Sequence, residues 1–190
     1  MCNLLFKTNA QIKIKLGLNA FSLQAMTTAQ EYVRRLEMNS HVEGGFYKET
    51  YRSELIIPSA ALPDQFKGDR SASTHIYFLL EFGQCSRLHR IASDEHWHFY
   101  DGQSLEVYEI KKDGEFILHK LGNRLDKGEK FHTVIEAGSW FGSRCMIPGS
   151  FSLVGCTVAP GFDFQDFELA DRQELLTSFP NLEGLILELT

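Results

Sequence analysis

The stretch SRLHRIASDEHWHFYDG, residues 86–102, decides how this chain is read. It brings His89, His96 and His98 together with Asp94, Glu95, Arg87, Arg90 and a run of aromatics. Histidines and acids at short spacing suit a metal site or a proton-transfer site. Strand alternation separates them, because residues i and i+2 share a face. Arg87, His89 and Ile91 fall on one face, Leu88 and Arg90 on the other. A turn at Ser93-Asp94 starts a second strand, which puts Glu95, Trp97 and Phe99 on one face and His96, His98 and Tyr100 on the opposite one. His89 and Glu95 can then meet across a hairpin, while His96 and His98 look elsewhere.

The period-two pattern extends in both directions. It predicts strands over 46–52, 74–80, 86–91, 96–100, 105–111, 115–121, 133–135, 140–146 and 151–158. Turn chemistry separates them at Asp113-Gly114, Gly122-Asn123, Lys127-Gly128, Pro148-Gly149 and Pro160-Gly161. The segment 58–73 reads as a polar loop. TTAQEYVRRLEM reads as a helix capped by Thr27 or Thr28, with Tyr32, Val33 and Leu36 as its apolar stripe. A last helix, ADRQELLTSFP, stops at Pro180 and is expected to pack as a lid. Many short strands with a helix at each end point to an all-β antiparallel sandwich or barrel of jelly-roll type, whose interior can hold a small molecule.

The composition is that of a globular protein, with 43% hydrophobic and 23% charged residues, and its 15 Phe suit a sheet-rich interior. A net charge of −6 argues against general nucleic-acid binding. No run of apolar residues is long enough to span a membrane. Cys2, Cys85, Cys145 and Cys156 form no C-x-x-C pair, which fits reduced thiols in a cytoplasmic protein. Residues 1–25 carry Lys7, Lys13 and Lys15 and no acid, and read as an extension or a mis-assigned start; residues 26–190 are then one domain.

Further in, Gly83-x5-His89-x-Ile91-x3-Glu95-x6-Gly102 resembles the first signature of the cupin superfamily, except that Ile91 stands where a second His is usual. EAGSWF (136–141) resembles the second signature, with Phe141 at its His position. Together with GGFYKETYRS and SLVGCTVAPGFDFQDFEL, these stretches resemble the cupin-5 (DUF985) family over roughly residues 28–180. The resemblance implies a double-stranded β-helix (cupin jelly roll), with short flanking helices at both ends, that forms a homodimer. It implies no defined activity.

The cupin metal set is three His and one Glu. With Ile91 and Phe141 at two of its places, His89 and Glu95 remain as donors, so no metal or other cofactor is expected; displaced donors such as His98 or His132 are the alternative. Some metal-free cupins epimerise nucleotide-linked keto-sugars with a buried His as base and a Tyr as acid. Here the resemblance extends to roles only, since Ser86 stands where those proteins carry an Arg.

On this reading His89 is the base or polar anchor, Glu95 its orienting acid and Tyr47 a proton donor. Arg87 and Arg52 contact an anion, and Trp97, Phe99, Tyr77, Trp140 and His98 line the ligand site. The expected partner is a small polar or anionic metabolite such as a sugar or nucleotide-sugar. A metal-dependent enzyme and a non-catalytic ligand-binding dimer are the rivals. Asp163 and Asp166 read as turn or surface residues, and His41 and His119 as isolated ones.

Overall fold

A computed structural model describes residues 28–190; the expectations for residues 1–25 and for Thr27 as a cap lie outside the described residues. Helix α1 (Ala29–Arg35) opens the described chain, capped by the Thr28 hydroxyl, which accepts from the Glu31 N–H. Thirteen strands follow: β1 (Asn39–Ser40), β2 (Phe46–Arg52), β3 (Ile56–Ile57), β4 (Arg70–Ser71), β5 (Thr74–Glu81), β6 (Cys85–Arg90), β7 (Asp94–Gly102), β8 (Leu105–Ile110), β9 (Phe116–Leu121), β10 (His132–Ile135), β11 (Trp140–Cys145), β12 (Phe151–Ala159) and β13 (Glu168–Leu169). Helices α2 (Arg172–Ser178) and α3 (Glu183–Leu189) close it. Pro180 ends α2, as expected, and also begins a single 3₁₀ turn that leads into α3, a helix the sequence reading did not anticipate.

The long strands form two antiparallel sheets, ordered β1-β2-β5-β12-β7-β10 and β13-β6-β11-β8-β9. Their facing sides enclose the main core, in which Phe78, Trp97, Phe141, Leu80 and Leu121 are fully buried. Helices α2 and α3 cover the outer side of the smaller sheet over Leu88 and Tyr108, and α1 covers the outer side of the larger one over Leu79 and Leu153.

Three β-bulges alter the simple alternation; one lies in β7 between Phe99 and Asp101, and the other two bear on the site. In β6 the register against β11 runs from Phe141↔His89 to Ser143↔Ser86, so β6 carries one extra residue. Ser86 and His89 are therefore both buried, while Arg87 is exposed. In β2 the register against β5 runs from Glu49↔Ile76 to Tyr51↔His75, again with one extra residue. That brings Arg52 to the side of Tyr47 and Glu49, which strict alternation denies it. A bulge shifts all following side chains to the other face.

The 58–73 segment is more than a polar loop. It ends in β4, whose Arg70 is 2% exposed and grips Asp166, itself 4% exposed. Nε donates to Oδ2 at 2.7 Å and Nη2 to Oδ1 at 2.6 Å, while Nη1 donates to the Asp69 carbonyl at 2.7 Å. Asp166, expected at a turn or surface, is thus half of a buried bidentate pair that fixes the 162–167 segment against the barrel.

Removing one partner leaves an uncompensated buried charge. Asp166→Ala is expected to cost about 3–5 kcal/mol of unfolding free energy in denaturant titration. A loss below about 1 kcal/mol, the range of an exposed pair, would show that the 162–167 segment is not held this way.

Candidate functional site

A cavity of about 450 Å³ opens between the larger sheet and the 162–164 segment. Strand β2 presents Tyr47, Glu49 and Arg52 to it, β5 presents Thr74, Ile76 and Phe78, and β7 presents Glu95. Phe162, Asp163 and Phe164 form the outer wall, and His41 and Glu43 reach in from the turn before β2. The size suits a small metabolite.

That turn is built on Gly44 and Gly45, with φ of +117° and +69°. A Cβ on Gly44 would lie 2.1 Å from the Cys85 carbonyl oxygen, so only glycine lets the chain lie this close to β6. The Arg87 N–H donates to the Glu43 carbonyl at 2.8 Å, and the Arg87 guanidinium donates to the Val42 carbonyl. The turn is thereby fixed with the Glu43 side chain pointing into the barrel.

Buried Glu43 meets the two residues that the β6 bulge turns inward. Ser86 Oγ donates to Oε1 at 3.0 Å, and His89 Nε2 lies 3.1 Å from Oε2. His41 Nδ1 lies 3.4 Å from the same oxygen. Burial pushes the Glu43 carboxyl up, but His89, His41 and the Ser86 hydroxyl together outweigh it and hold the group below its ordinary range. Glu43 is a carboxylate at neutral pH. His89 places Nδ1 2.7 Å from the Arg87 carbonyl oxygen. Both ring nitrogens thus lie against oxygen atoms.

Glu95 is 8% exposed and its environment is the reverse. Burial, with the nearby Glu43 charge, pushes its carboxyl up to about 8, against a smaller opposing effect of the hydrogen bond with Cys156. Burial and Glu95 in turn raise the Cys156 thiol well above its ordinary value. Two carboxyls of one site are thus held in opposite states at neutral pH, one charged and one protonated.

The expected site residues separate into groups. Tyr47, Arg52 and Glu95 line the cavity. His89 lies behind Glu43, 3% exposed, and its acid partner is Glu43 rather than Glu95. Trp97 and Phe99 face inward, as alternation requires, but pack into the core below the cavity. Four others lie away from this cavity. Arg87 is exposed, because the bulge turns it outward. Tyr77 lies on the outer face of β5 against His75 and Tyr100, on the far side of the sheet. Trp140 packs under the C-terminal helices, with the Arg90 guanidinium 4.4 Å from its ring centre. His98 stacks on His132 on the outer face, ring centres 4.8 Å apart.

His41 and His119 are not isolated: His41 reaches Glu43, and His119 Nε2 lies 2.8 Å from Glu109. The principal residue missed is Glu43. Its signal was the Gly44-Gly45 pair beside an acid, a turn needing positive φ next to a strand.

Ile91 is 4% exposed in the core, and the Phe141 ring centre lies 4.1 Å from that of His89. Both stand where a cupin places metal ligands, and both nitrogens of His89 are already engaged. No group of three or more His, Cys, Asp or Glu that could hold a metal occurs among the described residues. The donor set does not fit a first-row cation in the usual cupin manner.

Two facing antiparallel sheets with an internal cavity define a cupin-type jelly roll, and sequence comparison agrees. Residues 30–170 match the Cupin_5 family, described as "Cupin superfamily (DUF985)", and the chain belongs to that family. It is similar to a hypothetical protein from Leishmania major, with 32% identity, a TM-score of 0.79, and coverage of 86% of this chain and 98% of that one. It is also similar to a Shewanella oneidensis protein, with 41% identity, a TM-score of 0.77, and coverage of 87% and 98%. No curated protein matches it.

The raised Glu95 carboxyl gives stability a definite pH dependence. Unfolded, the group titrates near its ordinary value of 4.5; folded, it titrates at about 8. Between those values the folded protein holds a proton that the unfolded chain releases. The contribution is therefore full below the lower value, falls as pH rises, and is gone above the upper one. Glu43, shifted down, contributes in the opposite sense and loses its contribution on acidification.

Denaturant titrations across this window are expected to show Glu95→Gln removing a decline of up to about 1.4 kcal/mol per pH unit. Parallel wild-type and variant profiles would mean that Glu95 is not raised.

Proposed function

We propose that this cupin binds a small polar metabolite of about sugar size and moves a proton on it, with Glu95 as the acid–base group. The carrying observation is the buried Glu95 carboxyl on the cavity wall, poised near neutral pH beside the Glu43 carboxylate. A group that titrates close to the working pH supplies both protonated and ionised forms, which is what general acid–base catalysis needs.

In an isomerisation or epimerisation, ionised Glu95 takes the proton from the carbon beside a carbonyl. The C–H electron pair moves toward the carbonyl oxygen, which receives a proton from the Tyr47 hydroxyl or from water. Return of that proton to the same carbon, with the enol O–H proton going back to Tyr47 or water, gives exchange; delivery to the former carbonyl carbon with loss of the neighbouring hydroxyl proton gives isomerisation, and protonation from the opposite face by water gives epimerisation. Tyr47 lines the same cavity, its ring edge-on to His41 with centres 4.7 Å apart. His89 acts through Glu43 as a positioning residue: it holds the negative charge that keeps Glu95 protonated until ligand arrives. This moves the role of base from His89 to Glu95.

The same reading keeps the protein as a cytoplasmic homodimer. Cys85, Cys145 and Cys156 are all free, as suits a reducing compartment. No helix among the described residues is long and apolar enough to cross a membrane.

The test begins with a thermal-shift screen of small sugars and hydroxy-carbonyl compounds, followed by NMR of deuterium incorporation into any bound hit. Glu95→Gln is expected to slow exchange about 10²–10⁴-fold. His89→Ala is expected to lower the apparent pKa of the exchange profile without abolishing exchange. Binding without exchange in the wild type would leave a non-catalytic binding protein, and exchange that survives Glu95→Gln would remove Glu95 from the role.

A further inference from the structure

The charges around the cavity restrict what can enter it. Among the described residues no lysine lines it, and its one arginine is already engaged. Arg52 donates from Nε and Nη2 to Glu49 at 3.0 and 2.6 Å, and from Nη1 to the Phe162 carbonyl at 3.1 Å. Glu43 is likewise occupied, by the Ser86 hydroxyl at 3.0 Å and by His89 Nε2 at 3.1 Å.

With those pairs set aside, two acids on the wall form no ion pair: Glu95, and Asp163, which feels the charges of Arg52 and Arg70 without pairing with either. Asp163 uses Oδ1 to accept the Gln165 N–H at 2.9 Å. Glu95 is more than nine-tenths buried and faces the cavity, and its hydrogen-bond partner is the weakly donating Cys156 thiol. Around these acids stand aromatic rings, with Phe162 and Phe164 edge to face at 5.1 Å and His41 stacked on Phe164 at 6.3 Å. Acids among aromatic faces are the surroundings an organic cation prefers, and a phosphate would meet no free positive charge here.

We propose that the cavity selects a metabolite bearing an ammonium group, held between Asp163 and Glu95 against the aromatic wall. This rests on reading the cavity as a ligand site and names the class of ligand. It replaces the anionic metabolite expected from Arg87 and Arg52, because one of these is outside the cavity and the other is neutralised within it. The ammonium takes the place of the Glu95 proton, which leaves to solvent. The ligand thereby turns Glu95 from an acid into the carboxylate base.

Calorimetric titration of the full chain with glucosamine, glucose and glucose 6-phosphate, run at neutral pH in two buffers of different ionisation enthalpy, tests this. Glucosamine is expected to bind at least about tenfold more tightly than glucose, with the phosphate weakest. Its apparent enthalpy should differ between buffers, reporting proton release that Glu95→Gln abolishes.

Asp163→Asn keeps a residue able to cap the 164–166 turn and should lower glucosamine affinity about tenfold, leaving glucose unchanged. Equal binding of glucosamine and glucose, or a preference for the phosphate, overturns the ammonium assignment and leaves the proton-transfer reading standing. Absence of binding by all three sugars overturns both.

Discussion

The candidate site depends on one buried contact, the Glu43 carboxylate against His89 at 3.1 Å. A buried charge is tolerated only with a partner and hydrogen bonds, and Glu43 has His89, His41 and Ser86. The residues that bring it there are not themselves chemical. Gly44 admits the turn against the Cys85 carbonyl, and the Arg87 backbone N–H fastens it. The consequence appears on a neighbouring strand. Burial makes the Glu95 carboxyl costly to ionise, the Glu43 charge close by adds to that cost, and Glu95 keeps its proton to about pH 8. Burial and the Glu43 carboxylate together produce a neutral acid, and that acid is what the cavity offers to a ligand.

The second constraint is backbone register. Neither Arg52 nor Ser86 would face inward on a regular strand. One extra residue in β2 turns Arg52 toward the cavity, and one in β6 turns Ser86 toward Glu43 and Arg87 away. A bulge beside a functional site is a common way of re-aiming a side chain. Here the same device neutralises Glu49 with Arg52 and supplies Glu43 with a hydroxyl.

Much of the frame was legible in the sequence because it rests on local pattern. Alternation along 95–100 correctly separated Glu95, Trp97 and Phe99 from His96, His98 and Tyr100. The long strands fall within a residue or two of their expected limits, since turn residues mark their ends. The missing parts are those that local pattern does not encode. Bulges leave no periodic signature, so Arg87 was placed with His89 on a parity the β6 backbone does not keep. Pairing across long separations is also invisible: Glu43 lies 46 residues before His89. Arg70 finds Asp166 across 96 residues. Trp140 and Tyr77 look like pocket walls in one dimension, and only the packing of helices and strands shows them on outer faces.

The departures at Ile91 and Phe141 gain meaning from this geometry. Where the superfamily pattern places metal donors, this chain places apolar side chains in the core, and both nitrogens of His89 are engaged in holding a carboxylate and its own strand. The polar interior is organised around proton occupancy. The most direct test is isotope-edited infrared titration of the Glu95 carboxyl in the full chain, assigned by its absence in Glu95→Gln. The account predicts a protonated carboxyl that ionises at about pH 8 and at lower pH once Glu43 is replaced by Gln. A Glu95 that ionises in the ordinary carboxylate range, unaffected by Glu43→Gln, would contradict it.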